Sequence, residues 1–407
     1  MSKVERLDFV SIPGVSSESQ LPSVEVSVVI PCLNEERSIG TCVDQALRML
    51  KSANLLGEVV VADNGSTDRS AQIATDRGAR VVPVPQRGYG SAVRGGIDGS
   101  LGNLIVIGDA DGQHDFSMLP EFVAKLKEGY DVVIGNRFSG DLQPGSMTWS
   151  HRYIGNPLLS GTLRLLFHPK IHDAQAGFRA LTRSAYVAMD LRTTGFESCP
   201  EMVIKAVRHG LKMTELPVPT LPDERDRPPH LRTIPDGWRH LSFILMCSPN
   251  WLFIAPGLVL LLLGVADVTL LAIGPHQIGS VVLDTRAQLF GVVFAVLGFQ
   301  IASVGVFARV FSYSKPFHTK ARFIERTLQA VNLEQGLMVS AVLVVVGSVG
   351  ILWIFITWAS RGFGTLHDPR DLIFWMLWLL LGVQISFSSF FLSMIGVSRG
   401  IWIGDRT

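Results

Sequence analysis

The sequence has little cysteine, almost no net charge and no apolar segment at its N-terminus. Its four cysteines (Cys32, Cys42, Cys199 and Cys247) show neither metal-ligand spacing nor a disulfide framework, so reduced thiols in a cytosolic domain are expected. Its 36 Lys and Arg oppose 35 Asp and Glu, a formal net charge of +1, and no nucleic acid is expected among its partners. Residues 1–23 have no apolar core and read as a flexible lead-in, not as a signal peptide.

Long hydrophobic runs are abundant, and they lie in the second half. Up to Asn250 there are 26 Lys and Arg against 28 Asp and Glu. From Trp251 onward there are 10 against 7, nearly all between apolar stretches. That is a soluble domain followed by a membrane domain. Four stretches, at about 251–273, 289–311, 337–358 and 372–397, exceed the roughly 20 residues that cross a ~30 Å bilayer core. Arg309, Lys315, Lys320, Arg322 and Arg326 cluster between the second and third. The flanking loops hold only Arg286, and Arg361 with Arg370. This asymmetry puts the soluble domain, residues 312–336 and the tail with Arg399 and Arg406 in the cytoplasm. Val296-Leu297-Gly298-Phe299-Gln300 resembles Leu380-Leu381-Gly382-Val383-Gln384, each in the second helix of a hairpin, and a bond between the two glutamines would satisfy both. Asp267 reads as interfacial. Charge this sparse suits an anchor that also shapes a lipid site better than a transporter.

From Val24 to about Leu216, short β-branched runs alternate with helical stretches, the pattern of βαβ units and a mostly parallel sheet. Strands are expected at 26–30, 58–62, 79–84, 104–108 and 131–135. Their exits are polar or glycine-rich, and in open α/β sheets that edge binds ligands. The most informative exit follows Leu104-Ile105-Val106-Ile107-Gly108, which delivers Asp109 and Asp111 at i, i+2, with Gln113 beyond. Two carboxylates and an amide oxygen aimed from one loop suit Mg²⁺ or Mn²⁺, whose shell is completed by water and substrate phosphates. A calcium loop is excluded, because position 114 is His where a turn glycine is needed and no Glu follows at the twelfth position. Asp-x-Asp alone is common, and Asp63-Asn64-Gly65 or Gly88-Tyr89-Gly90 alone is only a tight turn. Their convergence on one edge points to a nucleotide-type site.

Pro31-Cys32-Leu33-Asn34-Glu35, Asp63-Asn64-Gly65-Ser66-Thr67-Asp68 and Asp109-Ala110-Asp111-Gly112-Gln113-His114 occur in order, each at a strand exit. Together they resemble the motifs of family 2 inverting glycosyltransferases of GT-A fold, in particular the dolichyl- and polyprenyl-phosphate mannose and glucose synthases. His172-Asp173-Ala174-Gln175-Ala176-Gly177-Phe178-Arg179 resembles the Asp-x-x-x-Gly-Phe-Arg signature of those enzymes. The resemblance covers about residues 24–245. It implies a Rossmann-like GT-A domain over 24–220, a basic juxtamembrane segment over 221–250 and a four-helix all-α membrane domain over 251–407. It further implies that Pro31, Asn34, Glu35, Asp63, Gly88, Gly90, Asp109 and Ala110 hold a GDP- or UDP-linked sugar. Asp109, Asp111 and Gln113 would bind the metal. Arg137 and Arg179 would face the acceptor phosphate, with Asp111, Asp173 and Arg137 as the catalytic set. Two features depart from the pattern: His114-Asp115-Phe116 replaces prolines, and Glu224-Arg225-Asp226-Arg227-Pro228-Pro229-His230-Leu231-Arg232 replaces an Arg-x-x-Gly-x-Ser-Lys stretch. Arg225, Arg227 and Arg232 are therefore open between acceptor-phosphate contacts and a solvated patch attracted to anionic lipid heads.

The activity implied is metal-dependent, inverting hexose transfer to a polyprenyl phosphate at the cytoplasmic face, with nucleotide sugar, lipid phosphate and bilayer as partners and homo-oligomerisation left open. A phosphate acceptor is already anionic and needs little base catalysis, so the work is neutralising and positioning two anions. The apolar segment 147–167, with Arg152 and Arg164 interspersed, is either an amphipathic element at the membrane surface or a core helix. Asp236-Gly237-Trp238-Arg239-His240 also looks interfacial. Three alternatives stand: a processive synthase, which would need a Gln-x-x-Arg-Trp motif that is missing; transfer to a lipid or glycan hydroxyl, with Asp173 as the nearest base; and a silent scaffold or lipid-translocation partner.

Overall fold

The computed structural model describes residues 24–222, 233–312, 333–364 and 369–397. Strands β1 (Val26–Cys32), β2 (Gly57–Asp63), β3 (Arg80–Pro83), β4 (Leu104–Ile107), β5 (Val132–Asn136), β6 (Arg179–Thr182) and β7 (Met213–Pro217) form one sheet in the order β3-β2-β1-β4-β6-β5-β7. Only β6 runs antiparallel, between β4 and β5; every other pairing is parallel. The expected strands are all present, displaced by two residues at most.

The helices of this half are α1 (Ile39–Ser52), α2 (Ser70–Asp76), α3 (Tyr89–Asp98), α4 (Leu119–Lys127), α5 (Asn156–Phe167), α6 (Arg183–Met189), α7 (Ser198–Arg208) and α8 (Thr233–Met246). All seven residues of β1 are buried, which requires cover on both sheet faces. Alternation divides them. Val26, Val28 and Ile30 join the core with Ile39, Val43 and Phe122, under α1 and α4. Val29 joins the opposite core with Val93, Ile97 and Met202, under α3 and α7. In α1 the buried Ile39, Val43, Ala46 and Leu50 recur at three- and four-residue intervals, which explains a helix with one apolar face.

Among the described residues four helices are long and apolar enough to cross a membrane: Asn250–Ile273, Thr285–Val310, Leu333–Ser360 and Arg370–Ile395. They belong to α9 (Ala255–Ile273), α10 (Thr285–Ser312), α11 (Leu333–Ser360) and α12 (Arg370–Val397), with a short hairpin, His276–Ile278 and Val281–Leu283, after α9. Two helical hairpins, α9 with α10 and α11 with α12, join through α10 and α12. Gly257 and Gly264 lie so close to the backbone at Ala302 and Ala295 that a Cβ would overlap it, the close approach that small residues permit. The expected glutamine pair does not form: Gln300 is exposed, and Gln384 Oε1 has no partner among the described residues. Gln288 ties the hairpins instead, its Nε2 donating to the carbonyls of Val268 and Arg370, each at 3.2 Å. Arg225, Arg227, Arg232, Lys315, Lys320, Arg322, Arg326, Arg399 and Arg406 lie outside the described residues.

Candidate active site

The exits of β1, β2, β4 and β5 open onto a cavity of about 570 Å³. Pro31, Glu35, Gly88, Asp109, Ala110, Asp111, Gln113 and Arg137 line it. Asn34, Asp63 and Gly90 stand behind this lining. Asn34, at φ 58°, accepts the Thr67 N–H at 2.7 Å, which binds the first two exit loops together, and Asp63 accepts the Ser66 N–H at 3.0 Å within the second. Gly88, at φ 121°, and Gly90 lie where a Cβ would overlap the carbonyls of Thr194 and Thr193. Buried Glu201 of α7 holds that overlying segment, accepting the N–H groups of Arg192 and Thr193 at 2.9 Å each.

Asp109 is set from three sides. Its Oδ1 accepts the Tyr89 hydroxyl at 2.9 Å, and its Oδ2 lies 3.7 Å from His114 Nε2. The same Oδ2 occupies the space a side chain at Gly177 would need. His114 Nδ1 accepts the Asp109 N–H at 2.9 Å, which leaves Nε2 to carry the proton of the neutral ring. Burial, then the neighbouring Asp109, holds the Tyr89 phenol well above its ordinary pKa, so it stays a donor. Asp111 accepts the Gln113 N–H at 3.0 Å, and Gln113 Nε2 donates to the Ser146 carbonyl at 3.1 Å. Two carboxylates and an amide, all oxygen ligands, fit a hard cation that completes its shell from phosphates and water. Among the described residues no cluster of three His, Cys, Asp or Glu forms a closed protein site.

Arg137, at the exit of β5, donates through Nε to Asp173 Oδ2 at 2.7 Å and through Nη2 to Oδ1 at 2.8 Å. Burial opposes its charge, but Asp173 outweighs that effect and holds its pKa above the ordinary value. Asp173 is wholly buried and is not part of the cavity lining, so its carboxylate orients Arg137. Glu215 of β7 fixes this loop by accepting the N–H groups of His172 at 2.6 Å and Asp173 at 2.9 Å.

Arg179 corrects the sequence expectation. It is 2% exposed, and its guanidinium donates to the carbonyls of Ala176, Cys199 and Ala174 at 2.6, 2.8 and 2.7 Å. It starts an interior strand, which turns its side chain into the protein, so it braces the 174–176 loop and does not face the cavity.

The lining also includes residues the sequence reading did not select: Asn64, Tyr89, His151, Gln175, Phe196, Thr220 and His240. Asn64, Tyr89 and Gln175 stood inside the motifs at 63–68, 88–90 and 172–179. His240 stood in the segment read as interfacial and His151 in no motif, because both reach the cavity only through packing of α8 against α5 and the turn at His151–Gly155. Burial pushes the His240 imidazole below its ordinary pKa, against Glu197 and Asp236. His151 shifts the same way through burial, with Arg137 adding to it. The 147–167 segment proves two-sided. Leu159, Ser160 and Leu163 are buried, whereas Trp149, Tyr153, Ile154, Leu158 and Leu165 are exposed.

Comparison with known proteins agrees with this geometry. Residues 27–188 match the glycosyl transferase family 2 model, and residues 306–396 match the family 2 C-terminal transmembrane region. The chain is 35% identical over 378 residues to the low-salt glycan biosynthesis hexosyltransferase Agl6 of Haloferax volcanii, covering 91% of this chain and 89% of that one. It is 30% identical to a dolichyl-phosphate hexose transferase of the same organism, over 48% of this chain and 82% of the relative. A glucosyl-3-phosphoglycerate synthase of Mycobacterium tuberculosis, crystallised with Mn²⁺ and UDP, is similar at 24% identity and a TM-score of 0.44, over 55% of this chain and 80% of that one. Similarity to Agl6 along nine-tenths of the sequence, with a family model matching each half, establishes that the chain belongs to glycosyltransferase family 2.

Proposed function

We propose that this glycosyltransferase moves a hexose from a GDP- or UDP-linked donor to a polyprenyl phosphate at the cytoplasmic membrane face, with inversion. The observation that carries the reading is the company Arg137 keeps. It lines one cavity with Asp109 and Asp111, while Asp173, the nearest base a hydroxyl acceptor could use, is buried in the ion pair with Arg137. A guanidinium facing the same cavity as the metal-site carboxylates suits an acceptor that is already anionic. Similarity to a dolichyl-phosphate hexose transferase supports the same acceptor class.

In this reading Pro31 and Glu35, backed by Asn34 and Asp63, hold the nucleoside, and Gly88 and Ala110 allow close approach of the donor. Asp109, Asp111 and Gln113 would hold Mg²⁺ or Mn²⁺, which offsets charge on the departing diphosphate. Arg137, oriented by Asp173, docks the acceptor phosphate. A phosphate oxygen then bonds to the anomeric carbon as the bond to the diphosphate breaks on the opposite side. Residues 24–220 are the catalytic unit and 251–407 the anchor.

The test is transfer of radiolabelled sugar from a panel of nucleotide sugars to a short polyprenyl phosphate, with Mg²⁺, Mn²⁺ or EDTA. A mild-acid-labile labelled lipid, lost with EDTA, is expected. Metal-dependent nucleotide binding without product would move the reading to another acceptor, and failure of binding as well would favour a scaffold.

A further inference from the structure

Four buried side-chain atoms, His151 Nε2, Gln175 Nε2, Thr220 Oγ1 and His240 Nε2, have no hydrogen-bond partner among the described residues. All four residues line the cavity. Buried polar atoms are nearly always paired in a folded protein, so four exceptions around one cavity need a cause. They come from separate segments: the turn at His151–Gly155, the loop before β6, the segment after β7, and α8.

The sheet order explains why they meet. Strands β3, β2, β1 and β4 form one half of the sheet, and their exits carry Pro31, Glu35, Asn64 and the Asp109 loop. Strands β6, β5 and β7 form the other half, and Arg137 and three of the four unpartnered residues flank these strands. His240 arrives from α8, which packs against α5 and the His151–Gly155 turn. The cavity thus has a second side, joined to the Asp109–His114 loop where Thr220 pairs with His114, furnished with two imidazoles, an amide N–H₂ and a hydroxyl. Each can donate a hydrogen bond to an oxygen-rich ligand. Asp236 also lines the cavity, with Arg239 3.9 Å from its carboxylate.

Resting on the transfer reaction proposed above, we propose that His151 and His240, with Gln175 and Thr220, form the subsite that receives the acceptor's phosphate monoester beside Arg137. The sequence has no Arg-x-x-Gly-x-Ser-Lys stretch, and the set is recruited partly from the helix that leads into the membrane.

Kinetics of the full-length chain in detergent, with farnesyl phosphate as acceptor, test this. His151→Leu and His240→Leu, which cannot donate, should each raise KM for farnesyl phosphate about tenfold, with KM for the nucleotide sugar unchanged and thermal unfolding not lowered. Farnesol should not compete with farnesyl phosphate, and inorganic phosphate should compete weakly. A rise in donor KM instead would make these residues part of the sugar site and overturn the proposal, as would unaltered acceptor KM in both variants. Should the wild type transfer to no polyprenyl phosphate at all, the reaction itself fails and the subsite with it. Intact wild-type transfer with unaffected variants overturns the subsite alone.

Discussion

Arg137 and Asp173 form a two-pronged ion pair, with parallel bonds of 2.7 and 2.8 Å and the carboxylate wholly buried. The fork geometry holds the guanidinium plane at the edge of the cavity, which a single-point contact would leave free to rotate.

Removing either member should therefore cost both stability and turnover. Asp173→Asn leaves a buried guanidinium without its counter-charge and is expected to destabilise the protein by about 3 kcal/mol. Arg137→Lys keeps the charge but loses one prong, and should lower kcat with little change in donor KM. Thermal unfolding and steady-state kinetics in detergent check both. An unchanged unfolding temperature for Asp173→Asn would refute the clamp.

Arg179 should behave differently. Its three bonds all end on backbone carbonyls, so Arg179→Lys cannot satisfy them together and should destabilise by about 2 kcal/mol or more. Among molecules that stay folded, acceptor KM should be unaltered. A selective rise in acceptor KM without loss of stability would restore Arg179 to the phosphate site.

Tyr89 donates to Asp109 from α3 and stacks on Phe196 with ring centroids 5.0 Å apart. Tyr89→Phe keeps the stack and deletes only the hydroxyl. Groups that orient metal-binding carboxylates typically contribute 10–100-fold to affinity, so half-maximal activity should need roughly 10-fold more Mn²⁺ or Mg²⁺. A titration from metal-free enzyme reads this directly, and an unshifted midpoint would make the bond incidental.

The first five strands were legible because each is an apolar run ending abruptly in polar residues, and their exits hold eight of the cavity-lining residues that the sequence singled out. Strand β6 was not. Arg179-Ala180-Leu181-Thr182 is short, and its antiparallel direction follows from the return of the preceding loop, which no local periodicity encodes. For the same reason the Asp-x-x-x-Gly-Phe-Arg signature was visible while the facing of its charges was not. Asp173 and Arg179 both point inward, and which way a charged side chain turns is settled by the tertiary neighbours. His151 and His240 are far apart in the chain and meet only when α8 docks on α5.

The thiols offer a check on the soluble core. Burial pushes Cys32 from an ordinary 9.0 up to about 12, and Cys247 to about 11. Both values are raised, so their contribution to stability is fully present below about pH 9 and is lost progressively as pH climbs toward those values. At pH 8 an aromatic disulfide reagent should label the four cysteines slowly in the native protein and fully in SDS. Rapid labelling of Cys32 under native conditions would contradict the packing of β1.

The exposed apolar face beside the cavity makes the last prediction. Trp149 and Tyr153, with Leu158 and Leu165 on α5, and Ile234 and Trp238 on α8 stay exposed, while the opposite sides of both helices enter the core. Aromatic rings beside aliphatic side chains, with Arg152 and Arg164 close by, have the composition of a surface that settles among lipid headgroups. Both helices border the cavity that takes His151 and His240, so a lipid-linked acceptor would pass along this face. In nanodiscs containing brominated phosphatidylcholine, Trp149→Phe should remove a measurable part of the tryptophan quenching. Leu158→Glu should slow transfer to a long polyprenyl phosphate in the bilayer several-fold more than transfer to farnesyl phosphate in detergent. Equal effects on the two acceptors, or no change in quenching, would leave this face in water and require another route for the lipid.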